Sequence, residues 1–397
     1  TRIGRNSADV REVLRTLVRF GAPDRILLDG KPHLGTDNLV RLLKGFREEL
    51  IRLGATFRWQ ARVGALLTRD GVVRGVRLAG GEELAADVVV LAAGHSSREL
   101  YHHLQELGVT LQPKDFAVGF RIEHPQPLIN QAQYGSHADE VGQRGEGKLP
   151  PASYRLATTV RDSQPSWLGA SEEGRGCYSF CMCPGGQIVP TSISEGEFCV
   201  NGMSFSKRAS KWANSAVVST VGHAYGDYNA SADPLAGLCF QEEIEARAAR
   251  LGGGGLVCPV QRAADFLSGT LSEDPLPRSS YRRGVKSAPL HEIYPPPITE
   301  ALRESLRRFG RSMPGFVGDD ALLHGVETRT SAPVQIVRDS ASCECADLPG
   351  LFPAGEGAGY AGGIMSAAVD GLRVARAVLR VHKLSGAVDN HEGQAGR

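Results

Sequence analysis

The segment Asp87-Val88-Val89-Val90-Leu91-Ala92-Ala93-Gly94 decides the fold class. Its apolar stretch, residues 88–93, is the longest in the chain, and such a stretch is typical of a parallel-sheet strand that helices cover on both faces. Gly94 follows at the carboxyl end of the strand, where open parallel sheets bind ligands. We therefore predict an α/β fold, with a core strand that merely ends in a turn as the alternative.

A second segment near the end of the chain has the same character. Residues 351–354 form a short apolar run that leads into a glycine-rich loop at residues 355–363, and a helical period begins at Ile364. Free backbone N–H groups and the helix dipole favour an anion at such a junction. Glu356 is a candidate acceptor for a sugar or ribityl hydroxyl, and a glycine-rich helix cap without a ligand is the alternative.

The loop contains a literal G-x-G-x-x-G at Gly357, Gly359 and Gly362. The dinucleotide fingerprint requires a further strand with an acidic residue about 20 residues on. The polar end of the chain, residues 386–397, follows too soon for that strand. We therefore interpret this match as a late cofactor loop and not as the first turn of a Rossmann fold.

These segments resemble the second and the late FAD motifs of two-dinucleotide-fold flavoproteins, with Glu356 where many members have Asp. Residues 117–126, 178–186, 325–331 and 355–371 resemble more specifically a family of uncharacterised FAD-dependent dehydrogenases, distantly related to the BaiN-like flavoproteins. The resemblance implies FAD as cofactor, NAD(P)H as an accompanying candidate electron donor, and a Rossmann-like FAD/NAD(P)-binding domain. The implied cofactor contacts are Ala93, Gly94, Gly355, Glu356, Gly357, Gly359, Gly362, Gly363 and Ile364.

The resemblance also divides the chain. It implies an FAD-binding domain formed by residues 1–114 and 326–384, an inserted mainly-β α+β substrate domain at 115–325, and a disordered tail at 385–397. Members of the family begin with a strand, a G-x-G-x-x-G turn and a helix, and no such pattern precedes Asp87. We therefore expect an N-terminal truncation that removes the first βαβ unit.

Local patterns predict several elements of the first domain. An amphipathic helix is expected over residues 9–19, with Asp9 and Glu12 at capping-box spacing. A second helix is expected from Thr36 to Leu53, with an apolar stripe at Leu39, Leu42, Leu43, Phe46, Leu50 and Leu53. Strands are expected at residues 55–59, 63–68 and 72–78, the last two joined by an Asp70-Gly71 hairpin turn.

The middle region contains three groups of candidate residues. Arg121, Glu123 and His124 are candidates for binding an acidic substrate or moving a proton, although a surface ion pair beside a structural histidine is the favoured interpretation. Alternation places Cys177, Ser179, Cys181 and Cys183 on one strand face. Cys181 is a candidate redox thiol, and buried reduced cysteines are the favoured alternative.

The third group is Arg329 in Glu327-Thr328-Arg329-Thr330. Its place shortly before the late glycine loop makes it a candidate for contact with the flavin or with an anionic substrate. A structural ion pair is an equal alternative. Residues 252–255, four glycines, are interpreted as a flexible linker because no strand precedes them.

Composition limits the function classes. The 45 basic and 44 acidic side chains give a net charge of +1, which argues against nucleic acid or an anionic membrane as partner. Eight cysteines without a C-x-x-C make a zinc site unexpected, so no metal is predicted. A reducing compartment is expected, the cytoplasm or an organelle such as a plastid.

These observations predict an FAD-dependent oxidoreductase, a dehydrogenase that acts on a small-molecule substrate. The catalytic residues and the oligomeric state stay open, with Arg329, Cys181 and His124 as catalytic candidates. The alternatives are a non-catalytic flavin- or dinucleotide-binding module that regulates or scaffolds a partner, and an inactive fragment without its ADP-binding βαβ unit.

Overall fold

A computed structural model describes residues 7–28, 34–142, 146–161 and 174–381; the predicted tail at 385–397 lies outside these ranges. The α-helices in the described ranges are α1 (Ala8–Arg19), α2 (Thr36–Arg52), α3 (Arg98–Glu106), α4 (Gln126–Tyr134), α5 (Ala236–Gly252), α6 (Ala263–Ser268), α7 (Pro296–Ser312) and α8 (Ile364–Val381). The strands there are β1 (Val63–Arg69), β2 (Val72–Leu78), β3 (Glu83–Ala85), β4 (Val89–Leu91), β5 (Leu111–Pro113), β6 (Phe116–Pro125), β7 (Ala157–Val160), β8 (Arg175–Cys183), β9 (Gly186–Pro190), β10 (Val200–Ser204), β11 (Trp212–Val221), β12 (Cys258–Arg262), β13 (Val285–Ser287), β14 (Leu322–Glu327), β15 (Val334–Ile336) and β16 (Leu351–Pro353).

Contacts divide the chain into two units. The flanking unit comprises the described residues within 1–32, 42–114 and 331–397, and the central unit those within 33–41 and 115–330. Residues 33–41 and 326–330, which the sequence assigned to the FAD-binding domain, are thus grouped with the central unit. One cause is local, because the Asp37 carboxylate accepts hydrogen bonds from the backbone N–H and the hydroxyl of Ser206 at 2.8 and 2.6 Å.

The predicted strand at residues 88–93 forms as β4 and pairs in parallel with β16, with Val90 opposite Phe352. The pairing confirms a parallel arrangement, but the expected burial on both faces is wrong because Val90 is 49% exposed. Within the described residues this sheet contains only the two strands. The apolar run reflects strand propensity here more than complete burial.

The two helices predicted at residues 9–19 and 36–53 form, but details of their faces differ. The Asp9–Glu12 capping box is wrong: Ser7 is the N-cap residue, and both carboxylates instead bind Arg376 of α8. The predicted stripe of α2 is largely solvent-facing, since Leu42 is the helix's one residue classed as buried, whereas Leu43 is 67% exposed.

The hairpin prediction is confirmed, since β1 and β2 pair antiparallel around Asp70 and Gly71. The predicted strand at residues 55–59 is wrong, because that segment carries no strand. Two of its aromatic residues, Phe57 and Trp59, stack with their ring centroids 5.8 Å apart. Aromatic side chains gave this segment a β-like composition, but it pairs with no strand.

The central unit is built on a seven-stranded sheet in the order β13-β12-β14-β6-β11-β8-β7. The β12–β13 pair is parallel and the other neighbours are antiparallel. Its hydrophobic core draws every buried member from residues 116–326. The chain therefore has a mixed α/β architecture with a large, mostly antiparallel sheet.

Proline and glycine residues mark ends of two helices in the central unit. In α7 the apolar residues Leu302, Leu306 and Phe309 lie on one face and are buried, and Pro295 precedes the first turn. Residues 252–255 are not a linker: Gly252 ends α5, and Gly253 at φ +87° is its left-handed C-cap. The connection to β12 is thus a short, structured turn.

Candidate functional site

The carboxyl ends of β4 and β16 lie side by side in the flanking unit, because the two strands are parallel and in register. Gly94 and Gly357, which follow these strands, are in direct contact. A Cβ atom added at Gly357 would lie 2.3 Å from the Gly94 carbonyl oxygen. The structure therefore brings together the two segments that the sequence singled out independently.

A narrow cavity of about 10 Å³, enough for about one water molecule, lies at this junction. Its lining includes Ala93, Gly94, Ser97, Tyr101 and Gly357. The Tyr101 hydroxyl donates to the Gly357 carbonyl at 2.7 Å, and the Ser97 hydroxyl donates to the Ala93 carbonyl at 3.0 Å. Sequence reasoning missed both side chains, although the available signal was their place shortly after Gly94: Ser97 is the N-cap of α3, and Tyr101 lies within that helix.

The late glycine loop takes its shape from left-handed backbone and close packing. Gly355 has φ +77° and Gly359 has φ +85°, conformations that favour glycine. A Cβ atom at Gly359 would lie 2.7 Å from the Cα of Gln335. The Gly355 N–H donates to Asp370 of α8 at 2.8 Å, which ties the loop to the following helix.

Helix α8 begins at Ile364 as predicted, and Ile364 is 62% exposed. Its buried positions are Asp370, Val374 and Ala377. The face of the helix that carries Asp370 is turned inward because Asp370 forms a buried ion pair with Arg338.

Glu356 is half-buried among polar neighbours. Its carboxylate oxygen lies 3.7 Å from Nδ1 of His95. Burial raises the pKa of the Glu356 carboxyl, and the positive charge of Lys114 opposes that shift. The Lys114 ammonium also donates to the Gly359 carbonyl at 2.9 Å. The carboxylate can therefore accept a hydrogen bond from a ligand hydroxyl at the surface of the loop.

Arg329 lies in the central unit and its guanidinium binds protein groups. Nε donates to Glu245 at 2.9 Å and Nη2 donates to the same carboxylate at 2.5 Å, while Nη1 donates to the Thr191 carbonyl at 3.1 Å. Glu197 lies 3.5 Å from Nη2. This geometry is the structural ion pair that the sequence left as an equal alternative.

Arg121, Glu123 and His124 lie close together in β6, and all three are buried. The favoured prediction of a surface ion pair is therefore wrong. Arg121 binds Glu327 of β14 at 2.6 Å, and the His124 Nε2 lies 2.8 Å from the Phe316 carbonyl. Burial lowers the pKa of His124 to about 4. Protein atoms cover both faces of β6 at this point, so polar residues on either face are buried. The alternation of apolar and polar residues along one strand does not predict this.

Cys181 departs from the alternation predicted for β8. Its φ of +44° coincides with a bulge opposite β11, and it is exposed, whereas Cys177 is buried. The favoured interpretation of a buried thiol is therefore wrong for Cys181, although all eight cysteines are reduced. Desolvation by surrounding protein atoms, followed by the negative charge of Glu327, raises the pKa of the Cys181 thiol to about 11.

Two general features complete the description. Across the described ranges, every helix is too short or too polar to span a bilayer. The described His, Cys, Asp and Glu side chains form no group of three or more that is suited to hold a metal ion.

Comparison with known proteins gives two family matches. Residues 115–330, more than half of the chain, match the family described as FAD-dependent protein, C-terminal domain-like. Residues 32–142 match the family described as FAD dependent oxidoreductase. A Clostridium beijerinckii (strain ATCC 51743 / NCIMB 8052) protein, designated an uncharacterized protein, is 40% identical over 370 residues, 92% of this chain. The chain spans 65% of that relative's length.

Solved structures give weaker likenesses. A double-cysteine mutant of amadoriase I from Aspergillus fumigatus aligns with 86% of this chain and 51% of its own, at 13% identity and a TM-score of 0.31. BrvH, a flavin-dependent halogenase from Brevundimonas sp. BAL3, aligns with 45% of this chain and 25% of its own, at 14% identity and a TM-score of 0.22. By the match of residues 115–330, the chain belongs to the family of FAD-dependent proteins, C-terminal domain-like.

Proposed function

We propose that this chain is the cofactor- and substrate-binding part of an FAD-dependent oxidoreductase, a dehydrogenase that acts on a small molecule. One observation carries the proposal: the parallel pairing of β4 with β16 packs Gly94 against Gly357, so the two predicted FAD segments form one surface. The flanking unit would hold the cofactor. The central unit would contribute to recognition of the substrate.

The glycines of this surface fit a ligand that lies against the backbone. A Cβ atom at Gly94, Gly355, Gly362 or Gly363 would meet no atom of the described residues within 4 Å. Gly362 also lacks a left-handed φ, so neither its conformation nor packing against the described residues requires glycine there. Close approach of a cofactor explains such a position. When bound, FAD would supply the redox chemistry.

Glu356, Ala93, Gly357, Gly359 and Ile364 complete the proposed contacts. The Glu356 carboxylate would accept a hydrogen bond from a ribityl hydroxyl. The backbone at Gly357 and Gly359 would fix the curvature of the loop, and the exposed side chains of Ala93 and Ile364 would cover apolar parts of the cofactor. The N-terminus of α8 adds a favourable field for a negative group.

The three catalytic candidates differ in whether their side chains are accessible to a substrate. The guanidinium of Arg329 is held by Glu245, and His124 is buried against Phe316. Cys181 is exposed. Of the three, we propose Cys181 as the side chain that can meet a substrate, and NAD(P)H as the electron donor to be tested first.

The test is FAD binding by the purified chain. After incubation with FAD and removal of free cofactor, retained flavin absorbance and quenched flavin fluorescence are expected. Glu356→Gln should weaken binding by about tenfold, because a charge-assisted hydrogen bond contributes about 1.5–3 kcal/mol. Glu106→Gln, at an exposed position of the same unit, should leave binding unchanged.

The outcomes separate the alternatives. Flavin that binds and is reduced by NADH, NADPH or a candidate substrate supports the oxidoreductase. Flavin that binds but is reduced by none of these supports a non-catalytic binding module. A chain that melts cooperatively yet retains no flavin contradicts flavin binding by this chain, and it is the outcome that the inactive-fragment alternative expects.

A further inference from the structure

A second pocket lies wholly within the central unit, away from the glycine loops in sequence. It has a volume of about 310 Å³ and is lined in part by Gln187 of β9, by Lys211 and Trp212 at the start of β11, and by Ser279, Ser280 and Arg282. This volume is at the lower end of the range for small-molecule sites, about 300–1,000 Å³. A ligand that fills it is therefore small.

The rim of the pocket is positively charged. Lys211 and Arg282 are both exposed, and within the described ranges neither forms an ion pair with a carboxylate. The Lys211 ammonium lies 5.3 Å from the centre of the Trp212 ring, a cation–π contact that holds it at the rim. Two cations without a carboxylate partner among the described residues attract an anionic group.

The floor of the pocket has the opposite character. Ser280 donates twice to the buried carboxylate of Glu123, from its backbone N–H at 2.9 Å and from its hydroxyl. Its hydroxyl oxygen also accepts from the Ile188 N–H at 2.9 Å. The proton of this hydroxyl thus points inward, toward Glu123.

Ser279 is oriented in the same way by a histidine. Its hydroxyl lies 2.6 Å from Nε2 of His324, whose Nδ1 lies 3.1 Å from the Leu322 carbonyl. Because a carbonyl only accepts, Nδ1 carries the proton and Nε2 accepts from Ser279. Burial lowers the pKa of His324, which keeps the ring neutral. The Ser279 oxygen accepts from the Tyr281 N–H at 3.0 Å.

Both serine hydroxyls therefore donate inward, and among the described residues each oxygen accepts one hydrogen bond, from a backbone N–H. A hydroxyl oxygen has two lone pairs, so each serine retains one for a ligand. A ligand that binds at the floor must therefore donate hydrogen bonds to the serine oxygens. The negative charge of Glu123 behind the floor repels an anionic group, which favours its placement at the cationic rim.

From this arrangement we propose that the pocket binds a small polyhydroxylated organic anion, with its hydroxyls on Ser279 and Ser280 and its anionic group at Lys211 and Arg282. The anionic group is a phosphate ester or a carboxylate. This proposal does not rest on the proposed redox function.

Calorimetric titration of the full chain tests the proposal with four probes: glucose 6-phosphate, gluconate, glucose and inorganic phosphate. At least one of the two hydroxylated anions should bind about tenfold more tightly than glucose and inorganic phosphate, because only it satisfies both rim and floor. Added salt should weaken that binding.

Matched variants locate the site. Arg282→Gln should weaken binding of the hydroxylated anion by about tenfold and leave glucose unchanged. Arg283→Gln, an adjacent exposed arginine outside the lining, should change it less than twofold, and the melting temperature of each variant verifies folding. If glucose 6-phosphate binds tightly but gluconate does not, the anion is a phosphate ester; the reverse identifies a carboxylate.

Three results would overturn the proposal. Inorganic phosphate that binds as tightly as both hydroxylated anions would show a cationic rim without recognition by the floor. Binding that is equal in Arg282→Gln and wild type would place the ligand elsewhere. Absence of binding by either hydroxylated anion at millimolar concentration would exclude the site.

Discussion

Gly357 and Gly362 illustrate at the residue scale why glycines of one loop are not equivalent. A Cβ atom at Gly357 would overlap the Gly94 carbonyl, whereas a Cβ atom at Gly362 would meet no atom of the described ranges within 4 Å. The first glycine is required by packing within the chain. At the second glycine, no described residue occupies the space that a Cβ atom would take.

Gly357→Ala is therefore expected to lower the free energy of unfolding by about 1–3 kcal/mol, because the backbone of one turn must move away from the other. Gly362→Ala serves as the control and should change it by less than about 0.5 kcal/mol. Urea denaturation midpoints measure both. Equal midpoints for the two variants would contradict the packing of Gly94 on Gly357.

Cys181 combines exposure with a raised pKa, and the combination makes a prediction about reactivity. With a pKa of about 11, about one thiol in a thousand is ionised at pH 8. Alkylation by iodoacetamide should therefore be slow at pH 8 and accelerate steadily toward pH 11. Mass spectrometry localises the label, with Cys181→Ala as the blank. Rapid labelling at pH 8 would show that the thiolate is stabilised.

At the scale of elements, β6 concentrates buried polar side chains in the middle of the central sheet. Arg121 reaches across to Glu327 of β14 and also donates to Asn214 of β11 at 2.8 Å. The adjacent strands β14, β6 and β11 are therefore joined by side chains as well as by backbone hydrogen bonds.

Removal of one charge from this arrangement should be costly. Glu327→Gln leaves the buried Arg121 without its counter-ion and is expected to lower the free energy of unfolding by about 3–5 kcal/mol. Glu243→Gln is the matched control: its exposed partner Arg247 lies one helical turn away in α5, and a change below about 0.5 kcal/mol is expected. Chemical denaturation compares the two. A small effect of Glu327→Gln would argue against a charged buried pair.

His124 of β6 makes the central sheet sensitive to acid. Its pKa is lowered from 6.5 to about 4 in the folded chain, chiefly by burial, with the charge of Asp320 acting in the opposite direction. The contribution of His124 to the free energy of unfolding is therefore fully present above about pH 6.5. It is lost as the pH falls toward 4, because the histidine binds a proton in the unfolded chain at a higher pH than in the folded chain. The loss amounts to about 3 kcal/mol over that interval.

His124→Gln, whose amide can still donate to the Phe316 carbonyl, should flatten the dependence of the unfolding free energy on pH between 6.5 and 4. His137→Gln, at an exposed site beside Glu140, should leave it unchanged. Denaturation midpoints across this interval measure the slope. The same slope in His124→Gln and wild type would assign the acid sensitivity to other groups.

At the scale of the whole molecule, the central unit contains its own hydrophobic core and its own seven-stranded sheet. Residues 115–330 expressed alone are therefore expected to melt cooperatively. The melting temperature should be lower than in the full chain, since the hydrogen bonds of Asp37 to Ser206 and of Thr36 to Ser204 are lost. Circular dichroism follows the transition. A gradual, non-cooperative change would show that the core depends on the flanking segments.

Signals that act over a few residues determined much of this protein from the sequence alone. The hairpin at Asp70-Gly71 and the strand–loop–helix order at β16 and α8 both formed as predicted. The meeting of Gly94 with Gly357 was also accessible, since parallel strands bring their carboxyl ends to one edge.

Only the tertiary structure decided which side chains are buried and with what they pair. The partner of Arg121 is 206 residues away, the bulge at Cys181 arises from its register against β11, and the exposure of Val90 depends on what packs over β4. The physical reason is that propensity and periodicity are local, whereas burial and charge pairing depend on neighbours supplied by distant segments.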